Sequence, residues 1–184
     1  MNTVESKVYA IIEKKASSNT WIQAISGIAG FPFTLFVDTS IIFTHYGKMF
    51  NEIRKVYGRK PIGMEAIGTF INGCKDEVLM DLVVDKIVGN IPIVGIPANM
   101  ISARAMTWRL GLVMGMLSAR GEEISSENVR KAAVLVREAF PQSKSLLFQK
   151  PSREVAMKLL NVVENISMDS FNDKLNRILN QIAC

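Results

Sequence analysis

His45 is the one histidine in 184 residues, and it stands seven positions after Asp38 and seven before Glu52. On a helix that spacing brings each side chain back to nearly the same face, two turns along. Three such groups could pass a proton, or supply part of a metal site. A metal site normally needs three or four convergent ligands, so the competing reading is a partly buried imidazole hydrogen-bonded to a neighbour. No Ser-His-Asp or Cys-His arrangement can be argued from spacing, and no Gly-x-Ser-x-Gly elbow occurs. Gly63-Met-Glu-Ala-Ile-Gly68-Thr69 echoes a phosphate loop, but the lysine is missing and no strand precedes it. The chain is therefore expected to be non-enzymatic and to bind no metal or cofactor. Asp38, His45 and Glu52 are the first residues to mutate should a turnover be measured.

Asp38 also has a structural reading. It is the sole charge between Trp21 and Phe43, and a carboxylate in such a setting is costly unless paired or neutralised. Arg104 and Arg109, the two charges in a second apolar run, are the candidate partners, and an Asp-Arg pair would fasten the two runs together. The cluster Arg54, Lys55, Arg59 and Lys60 is either a solvated helix end or, beside an inserted hairpin, a contact for anionic head groups or an acidic partner.

The elements that must position these residues are helical. Residues 3 to 16 carry Val4, Val8, Ile11 and Ile12 at helical spacing, and Ser17-Ser18-Asn19-Thr20 reads as a turn that caps the next helix. The stretch from Trp21 is broken by Gly27, Gly30 and Phe31-Pro32-Phe33, so two helices joined by a bend are expected. The second runs from about Thr34 to Tyr57 and stops at Gly58, with Arg54 and Lys55 near its C-terminus. Short helices follow over 63–74 and 75–88. A second interrupted run, Ile87 to Ala119, holds Gly89, Pro92, Gly95 and Pro97 and then continues as an apolar helix. Its Gly111 and Gly115 permit close helix packing. After Arg120-Gly121 the chain turns polar. One helix follows Ser125 and Ser126 to about Phe140, and a final helix or helix pair opens at Ser152-Arg153. No segment alternates as a strand would.

The fold class is thus all-α: a single helical domain over 1–184, with two Gly/Pro-bent apolar helical hairpins in 20–120 and amphipathic helices in 121–184. This length folds without disulfide or metal. Cys74 and Cys184 form no framework, which points to a reducing compartment. The first residues lack an apolar signal region, so a cytosolic start is expected. A 48% apolar fraction, with ten Met and nine Phe, suits a large core, a sticky interface or a membrane-facing surface. The net charge of +5 suits an anionic partner.

The run Gly30-Phe-Pro32-Phe-Thr-Leu-Phe-Val-Asp38, followed by Met49 and Tyr57-Gly58, resembles the signature of the YcjF-like helical domain family, a domain also found fused behind bacterial Era-like GTPases. Ile91-Pro92-Ile-Val-Gly95 and Thr107-Trp-Arg-Leu-Gly111 are similar to that family's second signature. The resemblance covers roughly 20–120 and implies an all-helical, membrane-associated domain with no known enzymatic activity, often working beside a GTPase. This chain has no GTPase domain, so a separate protein would have to supply it.

Three functions follow. The first is a non-enzymatic membrane-associated interaction module at the cytoplasmic leaflet, the second a wholly soluble helical scaffold or oligomer, and the third a pore-forming effector. The expected partners are a protein, with a GTPase added by the resemblance, an anionic membrane surface and a second copy of the chain. No nucleic acid is expected.

Overall fold

The computed structural model of the chain describes residues 3–26, 39–74, 95–140 and 150–164. Among them every regular element is a helix: α1 (Val4–Ser26), α2 (Thr39–Val56), α3 (64–74), α4 (Gly95–Arg120), α5 (Ser126–Ala139) and α6 (Arg153–Glu164).

Each outer helix buries one stripe at helical spacing. In α1 it is Val8, Tyr9, Ile12 and Ala16; in α2 Tyr46, Met49, Phe50 and Ile53; in α3 Ile67, Phe70, Ile71 and Cys74. Phe50 joins two of these stripes, with its ring centroid 5.9 Å from Tyr46 and 4.9 Å from Phe70. The core they enclose is α4, in which every residue from Ala105 to Ala119 is buried.

Glycines let α4 take that central place. A Cβ on Gly111 would fall 2.6 Å from Ile12 Cγ1, and one on Gly115 would fall 2.8 Å from Leu160 Cδ2 and 3.3 Å from Val8 Cγ1. Two bare backbone positions one turn apart thus admit α1 and α6 closer than any side chain would allow, as the Gly-x-x-x-Gly spacing led us to expect.

These contacts also fix direction. Val8 meets Gly115 and Ile12 meets Gly111, so α1 and α4 run antiparallel. Tyr46 meets Thr107, and Arg59 meets Ser118 and Ala119, so α2 runs with α4. One end of the bundle therefore gathers the start of α1 and the ends of α2 and α4.

The caps at that end follow from sequence. Gly58 and Gly121 take φ of 67° and 70°, the left-handed region that glycine reaches at least cost. Arg59 N bonds Arg54 O while Gly58 N bonds Lys55 O, and Glu122 N bonds Leu117 O while Gly121 N bonds Ser118 O. Both are Schellman closures of a helix C-terminus. Ser125 caps α5, its side chain accepting from Asn128 N at 3.2 Å.

One expectation is corrected. Residues 17–20 are not a turn, because α1 runs through them to Ser26. Ser18 Oγ donates to Lys15 O at 2.9 Å, so the hydroxyl is satisfied inside the helix and does not compete with it. Pro97 lies in the first turn of α4, where no intrahelical donor is needed. The expected bends at Pro32 and Pro92, and the helix expected over 75–88, lie outside the described residues.

Candidate interaction surfaces

His45 sits half-buried on α2, opposite α1. Burial lowers its pKa, and the charge of Lys15 lowers it further. Lys15 is itself half-buried, with its ammonium 5.7 Å from the centre of the Tyr46 ring, a distance that supports cation–π attraction. Burial lowers its pKa too. Next along α2, the Tyr46 hydroxyl hydrogen-bonds that of Thr107 across the core at 3.2 Å.

Glu52 does not join His45. It is exposed, and its carboxylate lies 4.0 Å from Lys48 one turn back. Asp38 lies outside the described residues, so its pairing with either arginine is not on view. Arg109 is 3% exposed and engaged within the fold. Arg104 is half-buried. Its Nε and the indole Nε1 of Trp108, one turn on, are buried with no hydrogen-bond partner among the described residues. Gly95 opens α4. No group of three or more His, Cys, Asp or Glu among the described residues is placed to hold a metal ion. Cys74 is buried, and burial pushes its thiol far above the usual range, the reverse of an activated nucleophile.

The basic cluster divides into two roles. Arg59 reaches from the end of α2 to the last turn of α4, donating through Nε to Ser118 O at 3.0 Å and through a terminal nitrogen to Ala119 O at 3.4 Å. A cation there adds a donor to the last-turn carbonyls and opposes the negative end of the helix dipole. Arg54 Nε donates to Lys60 O at 2.6 Å, and burial together with Arg59 lowers its pKa. Lys55 and Lys60 project as exposed charges. Arg54 and Lys55 lie in the last turn of α2 and Arg59 and Lys60 just beyond it, so the cluster starts roughly 22 Å along the helix from Thr39 at 1.5 Å rise per residue.

A second polar group has no counterpart in the sequence reading. Where α6 begins, Arg153 donates to Ser6 Oγ and Lys150 donates to Glu13, both reaching back to α1. Tyr9 joins them: its hydroxyl donates to Pro151 O at 3.3 Å, the Lys150 ammonium lies 5.6 Å from its ring centre, and its ring packs 4.9 Å from Trp108. The Glu13 hydrogen bond, aided by Tyr9, raises the pKa of Lys150.

No helix among the described residues is long and apolar enough to cross a membrane. No protein-family model, curated protein or solved structure matches the chain. Of the motifs that carry the resemblance to the YcjF-like family, residues 30–38 and 91–94 lie outside the described residues.

Proposed function

We propose that the chain is a non-enzymatic helical interaction module whose bundle is complete without lipid around α4. One observation carries this reading: the apolar run from Ala105 to Ala119 is covered by the protein's own helices on every side. Several polar groups in and around it are hydrogen-bonded within the bundle. Ser118 Oγ donates to Met114 O at 2.7 Å, Tyr46 pairs with Thr107, and Ser6 takes Arg153. Amide hydrogen exchange in detergent-free buffer, with and without vesicles containing phosphatidylserine, tests it. The amides of 105–119 should be protected to the same degree in both. Protection that appears only with vesicles would overturn the reading.

A second reading is favoured by the stretch Trp21 to Phe43, which has Asp38 as its only charge. On this reading the module works at the cytoplasmic face of a membrane and holds that stretch against the anionic leaflet, with a GTPase as the partner implied by the family resemblance. Flotation with anionic vesicles tests it. The chain should float, and Phe36→Asp should abolish flotation while helicity by circular dichroism is kept.

A further inference from the structure

Lys7, Tyr9, Glu13, Lys150 and Arg153, with Ser6 at the floor, line a surface groove of about 470 Å³ between α1 and the start of α6. Three of these side chains are cationic and one is anionic. The single carboxylate, Glu13, is already taken by Lys150. Lys7 is exposed and has no ion pair among the described residues, where Arg153 has the Ser6 hydroxyl as its one hydrogen-bond partner and no ion pair. Two cationic groups therefore face the groove without a carboxylate.

Arg153 is held in place, unlike the solvated pairs elsewhere. Lys131 and Lys158 each pair with a glutamate one turn back on their own helix, an arrangement in which the nearby carboxylate already offsets the charge. Arg153 is anchored through one nitrogen to Ser6, a residue 5% exposed, and the rest of its planar fork is open for a second acceptor. A guanidinium held this way suits the two oxygens of a carboxylate. The first turns of α1 and α6 add the positive ends of their dipoles. Tyr9 supplies an apolar wall, and Glu13 on Lys150 shows that a side-chain carboxylate fits against this floor.

We infer that the groove is a docking site for an acidic peptide segment of a protein partner, with Arg153 taking one carboxylate bidentately and Lys7 a second. The inference rests on the interaction-module reading and names the chemistry of its partner. That partner lays Asp or Glu side chains along the α1–α6 seam, so binding weakens with salt.

The test uses the full chain and a fluorescein-labelled peptide of alternating Glu and Gly, with alternating Gln and Gly as the neutral control. Anisotropy should show binding of the acidic peptide alone, and amide shifts should centre on residues 6–13 and 150–153. Arg153→Gln and Lys7→Gln should each weaken binding about tenfold, the scale of one charge-assisted hydrogen bond. Arg153→Lys should recover part of the loss, and Lys131→Gln should change nothing. Absence of binding at low ionic strength would overturn the inference, as would equal loss with Lys131→Gln. So would displacement of the peptide by inorganic phosphate or phosphatidylserine vesicles at concentrations where acetate has no effect, because the groove would then be a phosphoryl site. Because Lys7 is exposed, its variant keeps the test decisive should Arg153→Gln unfold. A bundle that passes the hydrogen-exchange test yet fails to bind the peptide removes this inference alone.

Discussion

α4 and α5 pack against one another and solve different problems. Over 105–119 α4 is buried all round, whereas α5 buries Val129, Ala132, Ala133, Leu135 and Val136 and leaves Glu127, Arg130 and Glu138 exposed. A helix that is apolar on all sides belongs inside something, while one with a single stripe belongs on a surface. The difference shows where the chain's high apolar content goes: much of it is concentrated in one interior helix. A composition that suits lipid also suits a core when four other helices supply the cover.

The largest expected effect comes from truncation at the centre of this contrast. Trp108 is 1% exposed and packs on Tyr9. Trp108→Ala should cost about 4 kcal/mol, the usual scale for emptying a large buried aromatic site. Arg130→Ala on the open face of α5 should stay within about 0.5 kcal/mol. Urea unfolding of both variants checks the pair, and comparable losses would dissolve the distinction between the two helices.

A smaller effect should come from adding atoms. Gly111→Ala gains about 1 kcal/mol of helix propensity but drives its methyl into Ile12, and overpacking of this kind costs about 1–3 kcal/mol. The net result should be destabilising. Gly63→Ala is the control, since its added Cβ meets nothing within 4 Å. Combining Gly111→Ala with Ile12→Ala should cost less than the two losses summed, because the second change removes the atoms that clash. Strict additivity in thermal unfolding would mean that the glycine seam does not set the α1–α4 distance.

What was legible in the sequence was what is local. Gly58 ends α2 because a left-handed residue closes a helix over six consecutive positions, and Ser125 starts α5 because a cap acts three residues on. The run 17–20 misled for a related reason: its residues suit turns in isolation, but Ser18 satisfies its hydroxyl inside the helix and buried Ala16 ties that turn to the core. The interior place of α4 was open, since an all-round apolar helix does not say whether protein or lipid covers it. The α1–α6 groove was invisible because Glu13 and Lys150 are 137 positions apart, and Ser6 and Arg153 are 147 apart. Single polar residues at that separation carry no period.

The smallest expected effect lies where α1 meets α2, outside the α4–α5 contrast, and tests whether the bundle's electrostatics match its geometry. His45 has an ordinary pKa of 6.5, lowered in the fold first by burial and then by Lys15. The folded chain thus favours the neutral imidazole more than the unfolded chain does. Its contribution to stability is fully present above about pH 6.5, near the unfolded value. It declines as pH falls through that value toward the folded one, where the unfolded state takes up the proton first. His45→Gln should accordingly flatten the acid side of the stability profile in that window and change little at pH 8. Lys15→Gln removes the nearby charge while keeping the chain length close, so the NMR titration of His45 should move upward yet stay below the ordinary value, because burial is the larger cause. No movement would mean that Lys15 does not face His45 across the α1–α2 seam, and the pairing of those two helices at residues 15 and 45 would need to be redrawn.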